Sequence, residues 1–198
     1  MDEHLTWKPQ IKEICNKLKS MFHIFYSLRD FLSRDNIKTI YYTLIYSKIK
    51  YGIAVYGQAG ATKIKQIQVL QNRLLKVLSS KKFRYSTDRL HNDFGILKVH
   101  DIVNQEILTF VKNYFLDKLP VVFQNYFTLF GNHNTMHTRN SHKLIRKITP
   151  KSNFGATSVK FKGSDLWNKL SNDLKTCINT KQFRIKYKSS LMPYVINS

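Results

Sequence analysis

Across the first eighty residues the apolar side chains recur every three or four positions. That repeat lines one face of an α-helix and is useless to a strand, whose side chains alternate every two. Ile11, Ile14, Leu18, Met21, Phe22, Phe25 and Leu28 form one such stripe between Lys8 and Leu32, with Pro9 in its first turn and Lys12, Lys17 and Lys19 off the stripe. Ser33 offers an N-cap to a second helix, which carries Ile37, Ile40, Tyr41, Leu44, Ile45 and Ile49 as far as Gly52. Gly52, Gly57 and Gly60 interrupt the pattern, after which Thr62 is expected to cap a third helix bearing Ile64, Ile67, Leu70, Leu74, Leu75 and Leu78. Three apolar stripes on short links can bury one another. The expected fold is therefore mainly all-α, opening with a three-helix bundle over residues 1–80.

Residues 81–198 read as a second, basic and largely helical region with irregular loops. The stretch STDRLHNDFGILKVHDI suggests a short capped helix ended by Gly95, followed by a helix from Asp101 with Ile102, Val103, Ile107, Phe110, Val111, Tyr114 and Phe115, limited by Pro120. From Val121 to Lys151 the sequence is aromatic, His- and Asn-rich and weakly periodic, which reads as partly ordered loop carrying Arg139, Lys143, Arg146, Lys147 and Lys151. Further on, Val159, Phe161, Leu166, Trp167, Leu170 and Leu174 suit one face of a helical pair, bent at Gly163 or Ser164. Thr180 is expected to cap a last helix with Phe183, Tyr187 and Leu191 turned inward. Trp167, flanked by Leu at helical spacing, is expected to anchor a core.

Charge narrows the partners. Lys and Arg number 33 against 12 Asp and Glu, a formal net charge of +21, and such an excess calls for a polyanion or an anionic surface. Nucleic acid is the first candidate. Membrane spanning is not expected, since no run approaches the roughly 20 apolar residues a spanning helix needs. The start MDEHLTWKPQ lacks the basic-then-apolar order of a secretory signal, so the expected location is intracellular, nuclear or cytoplasmic. The candidate phosphate contacts are Lys63, Lys65, Arg73 and Lys76 on the third helix, then Lys81, Lys82 and Arg84 just after it.

Other chemistry is missing from the sequence. The aspartates are scattered, no two adjacent, and there is no Gly-rich phosphate loop, nucleophile elbow or His-Glu-x-x-His helix. Cys15 and Cys177 stand far apart and read as buried thiols, neither a zinc ribbon nor a disulfide framework. His133, His137 and His142 lie in an Asn-rich stretch without a partnering Cys, and no metal is expected there. No cofactor and no catalysis by this chain alone are expected.

Four stretches occur in an order that resembles the region after the catalytic palm in reverse transcriptases of jockey-type (LINE, non-LTR) retrotransposons. DEHLTWKPQIKEICNKL resembles the palm-to-thumb junction and first thumb helix, and IYYTLIYSKIKYGIAVYG the second thumb helix with its Tyr-Gly exit. IKQIQVLQNRLLKVL, with Gln71-Asn72-Arg73, resembles the third. SNFGATSVKFKGSDLWNKL and QFRIKYKSSL resemble the C-terminal Leu-Trp-Asn segment and its closing helix. Ser171 departs from the pattern, which commonly has Pro after Trp-Asn-x-Leu. The palm's aromatic-x-Asp-Asp motif has no counterpart in these residues.

The resemblance implies a thumb-like bundle over 1–80, a basic C-terminal region of the polymerase over 81–198, and binding of RNA or RNA-DNA hybrid without a catalytic centre, the missing palm being a further partner. A domesticated helical interaction protein with a protein partner, and a decayed non-functional reading frame, are the alternatives. Without a palm to cover them, Trp7, Phe22, Tyr42 and Tyr46 are expected to be exposed.

Overall fold

The computed structural model describes residues 6–129, 145, 155 and 158–192. Among them the regular structure is helical, apart from an isolated antiparallel bridge between Leu129 and Ile145. The chain divides into two compact units, Met1–Val103 with Met192–Ser198, and Asn104–Leu191. No helix of the described residues is long and apolar enough to cross a membrane.

In the first unit, α1 (Lys8–Leu28) carries Pro9 in its first turn and buries Ile11, Ile14, Cys15, Leu18 and Phe25. It ends with the stripe at Leu28, short of Leu32: the chain tightens into a 3-10 turn at Arg29–Phe31, leaving Leu28 and Phe31 exposed. Ser33 does cap α2 (Arg34–Ile40), its Oγ accepting from the Asn36 amide at 3.3 Å. The helix then widens into a π-helical segment, Tyr41–Tyr46, before closing as α3 (Ser47–Lys50). Apolar periodicity could not show this widening. Within it Thr43 Oγ1 donates to the Thr39 carbonyl at 2.8 Å and Ser47 Oγ to the Thr43 carbonyl, bonds that also occur in the regular helices, as from Thr109 to the Gln105 carbonyl.

The Gly-punctuated stretch contains one helical turn, α4 (Ile53–Tyr56), whose Ile53 and Tyr56 are buried. The long α5 (Ala61–Leu78) begins one residue before the expected cap, with Gly60 at the N-cap and Thr62 inside the first turn. It buries Ile67, Leu70, Gln71, Leu74, Leu75 and Leu78 and packs along α1. Full burial of an aliphatic side chain of this kind contributes about 1.5–3 kcal/mol, so this contact dominates the unit. α6 (Thr87–Phe94) is capped by Ser86 and ended by Gly95 at φ +60, the left-handed conformation that glycine adopts without strain.

Of the four aromatic residues expected on an open surface, Trp7, Phe22 and Tyr46 are half-buried, and Tyr42 is 37% exposed with its hydroxyl donating to the Gly95 carbonyl at 3.3 Å. Ring contacts among Tyr41, Tyr42 and Tyr46 account for part of that cover.

α7 (Val99–Phe115) starts two residues before Asp101. In the second unit its Leu108 and Val111 join Phe127, Ile145, Trp167, Leu174, Cys177, Phe183 and Tyr187 in one core. Trp167, 2% exposed, stacks on Phe115 at 4.9 Å between ring centroids, so it is packing rather than an exposed platform. Gly163 and Ser164 do not bend the chain; both sit inside a continuous α8 (Val159–Lys169). A Cβ on Gly163 would come within 3.0 Å of Val111 and 3.5 Å of Ile107, so the missing side chain serves close approach to α7. The bend falls later, at extended Leu170 and Ser171, before α9 (Asn172–Lys175). The last helix, α10 (Thr180–Leu191), is capped by Asn179, whose Oδ1 accepts from the Gln182 amide at 2.8 Å, while Thr180 instead donates to Asn113 Oδ1 at 2.7 Å. Phe183 and Tyr187 point inward; Leu191 is exposed. Both cysteines are free and buried, and burial pushes the Cys15 thiol pKa up.

Candidate nucleic-acid interface

The C-terminal halves of α1 and α5 do not close completely on one another. Between them lies an open groove of about 610 Å³, floored by Val77 and walled by Phe22, Tyr26, Arg29 and Asp30 from α1 and its 3-10 turn, and by Arg73, Lys76 and the residues after α5. Phe22, Tyr26 and Arg29 follow the four-then-three step of one helix face, beside the stripe that α1 buries.

The far wall depends on how α5 ends. Ser80 takes φ +50, Ser80 N donates to the Val77 carbonyl at 3.1 Å and Lys81 N to the Lys76 carbonyl at 2.9 Å, the paired bonds of a Schellman turn. The chain is thereby folded back, and Lys81, Lys82 and Phe83 return beside Arg73 and Lys76. Lys76 ties the returning loop down: its Nζ donates to the Phe83 carbonyl at 2.6 Å and lies 5.4 Å from the centre of the Phe83 ring. Arg29 sits 5.4 Å over Tyr26, with its Nε 3.4 Å from Asp30, and Lys81 lies 5.2 Å over Tyr85. Tyr85 donates to Asp93 Oδ2 at 2.8 Å, a bond that raises the phenol's pKa and holds the loop's exit.

Five cations thus line the groove against one carboxylate, Asp30. Of the seven basic residues singled out in the sequence, Arg73, Lys76, Lys81 and Lys82 line it. Arg84 is exposed on the same loop but outside the lining. Lys65 is exposed on the same side of α5 as Lys76, three turns earlier and roughly 16 Å along the axis. Lys63 faces another way, half-buried with its Nζ donating to the Thr6 carbonyl at 3.0 Å. Sequence reasoning overlooked Arg29 and Tyr26, and put Phe22 on the apolar stripe while expecting it to be exposed; the available signal was the second face of α1.

Behind the groove, the other two members of the Gln71-Asn72-Arg73 triplet turn inward. Gln71, fully buried, donates through Nε2 to Tyr41 Oη at 2.8 Å and to the Leu97 carbonyl at 2.9 Å. Gln68 Nε2 donates to Gln71 Oε1 and Asn72 Oδ1 at 2.8 and 2.7 Å, and Gln68 Oε1 accepts from the Val99 amide at 2.6 Å. His91 closes the network, with Nε2 2.8 Å from Asn72 Oδ1 and Nδ1 2.8 Å from the Ile96 carbonyl; its burial pushes its pKa below the ordinary value. Locked from behind in this way, α5 holds Arg73 and Lys76 at a fixed orientation toward the groove.

Basic residues of the second unit are partly committed to structure. Lys112 is 4% exposed and donates to the Lys175 carbonyl at 2.8 Å, and burial lowers the pKa of Lys112, Lys162 and Lys175. His133, His137 and His142, and Arg139, Lys143, Arg146, Lys147 and Lys151, lie outside the described residues. Among the described residues no three His, Cys, Asp or Glu side chains converge as a metal site would require.

No protein-family model matches the chain, and no solved structure matches it. Among curated proteins it is similar to the probable RNA-directed DNA polymerase from transposon X-element of Drosophila melanogaster, 29% identical over 108 residues. It is also similar to the RNA-directed DNA polymerase from mobile element jockey of Drosophila funebris, 26% identical over 108 residues. Each match covers 53% of this chain and 12% of the relative's length.

Proposed function

Since the chain is related to the RNA-directed DNA polymerases of jockey-type non-LTR retrotransposons, we propose that it is a thumb and C-terminal part of such a polymerase, binding RNA or RNA-DNA hybrid through basic helix faces. In this reading residues 1–80 grip the nucleic acid and residues 81–198 extend the basic surface, inside the cell. Catalysis belongs to a palm, because the paired aspartates that would hold metal ions for polymerisation are absent from these 198 residues. The observation that carries the reading is the convergence of Arg29, Arg73, Lys76, Lys81 and Lys82 around one groove with a single opposing carboxylate.

Salt dependence tests it. Each neutralised phosphate lowers log K by about 0.7–0.9 per tenfold rise in salt, so engagement of all five cations predicts a slope of roughly −3.5 to −4.5. Between ~50 and ~200 mM salt, affinity for an RNA-DNA hybrid should fall by more than about a hundredfold. The triple variant Arg73→Ala, Lys81→Ala, Lys82→Ala should bring the slope to less than half. An unchanged slope in that variant, or no affinity for hybrid at ~50 mM salt, would sink the proposal.

A further inference from the structure

Phosphate contacts alone would need only the cations, yet the groove also presents aromatic rings on both walls. Phe83 is 77% exposed and Tyr26 52%, the first on the loop after α5, the second on α1. Exposed rings are common on protein surfaces, but two on the walls of one cationic groove make the combination of aromatic and basic side chains that single-strand sites use. Phe83 is moreover held in place, its carbonyl and one side of its ring both engaged by Lys76. We infer that this groove takes an unpaired base of a single-stranded nucleic acid, stacked on Phe83 and Tyr26, with the flanking phosphates on Arg73, Lys81 and Lys82. The inference rests on the nucleic-acid reading above and narrows it from backbone gripping to capture of a single strand.

Three physical points favour this occupant. Inside a duplex every base already has both faces stacked on its neighbours, so away from the terminal pairs only an unpaired base can offer a face to a protein ring. At about 610 Å³ the groove falls within the roughly 300–1,000 Å³ typical of small-molecule sites, room for one base to enter, while a duplex would lie across its rim. The charge of the lining, five cations against Asp30, suits the phosphates on either side of that base and disfavours a purely apolar protein segment.

The test compares the full chain's affinity for a single-stranded oligo(U) RNA and for a blunt RNA-DNA hybrid of equal length, by fluorescence anisotropy at low salt. Phe83→Ala and Tyr26→Ala, both at exposed side chains, should each weaken single-strand binding roughly tenfold or more, and by a clearly larger factor than they weaken hybrid binding. Phe83→Trp should retain single-strand affinity, with indole emission quenched by the oligonucleotide.

Hybrid binding with a single-strand affinity that neither alanine variant moves would overturn the base-capture inference and leave the broader proposal standing. Loss of both ligands to the same degree in Phe83→Ala, with unchanged circular dichroism, would also overturn it, assigning the ring to positioning Lys76. Self-association that Phe83→Ala abolishes, with oligonucleotide affinity unmoved, would give the groove to a second copy of the chain. Failure of the wild-type chain to bind either oligonucleotide would remove the nucleic-acid reading itself.

Discussion

Replacing Gln71 with Met keeps the side chain's length and removes its hydrogen bonds, and the first unit should lose about 2–6 kcal/mol. The magnitude follows from what is left behind. Tyr41 Oη and the Leu97 carbonyl, both on buried residues, lose the donor they share, and a buried polar group without its partner costs about 1–3 kcal/mol. Gln68 is spared the same fate because its amide still reaches Asn72 at 2.7 Å. Against a total stability of about 5–15 kcal/mol the expected loss is large. With an m-value of about 2 kcal/mol/M it moves the urea midpoint down by about 1–3 M, read by circular dichroism on the full chain. Tyr41→Phe completes a double-mutant cycle: once Tyr41 Oη is gone, Gln71→Met should cost measurably less, a coupling of about 0.5–3 kcal/mol. Gln66→Met, exposed on the same helix, should stay within about 0.5 kcal/mol. A Gln71→Met midpoint equal to the wild type's, or additive single effects, would refute the idea that this network locks α5.

Two further outcomes are expected. Burial lowers the His91 pKa in the folded chain below its ordinary 6.5, so between those two values the unfolded chain binds more protons and stability falls as pH drops through that window, levelling off below the folded pKa. Denaturation midpoints taken from about pH 7.5 down to 5 should show that fall and His91→Gln should lack it, whereas identical profiles would contradict the assignment. Ser171→Pro should stabilise the second unit by up to about 1 kcal/mol, because Ser171 already has φ −62 and Leu170 before it is extended, both compatible with proline. A loss of stability in thermal denaturation would show that the turn needs something serine supplies.

Much of the helical architecture was legible from residue spacing, because the 3.6-residue period is a local property. Ile11, Ile14, Leu18 and Phe25, and Ile67, Leu74, Leu75 and Leu78, are marked by the spacing and buried in the structure, whereas Met21 and Phe22 are half-buried and Leu28 and Leu44 exposed although the same spacing marks them. The cap at Ser33 and the stop at Gly95 were legible for the same reason, since a side chain or a missing Cβ satisfies the backbone within a turn. The widening at Tyr41–Tyr46 was not, because apolar spacing carries no mark of where the wider backbone bonding sets in. Gly163 was misread as a bend, since a glycine that admits a neighbouring helix and a glycine that breaks its own look alike until Val111 is seen beside it.

The candidate interface divides along the same line. That the chain carries a large positive charge, and that Arg73, Lys76, Lys81 and Lys82 stand close in sequence, is written in the residues themselves. That Lys63 turns to Thr6, that Phe22 and Tyr26 line one groove with Phe83, and that Arg29 joins the cations were decided only by the packing of α1 on α5 and the left-handed turn at Ser80. Spacing within one helix tells which residues share a face. Which two faces become neighbours depends on contacts between residues some fifty to sixty positions apart, such as Thr6 and Lys63, and on turns whose direction a single backbone angle sets.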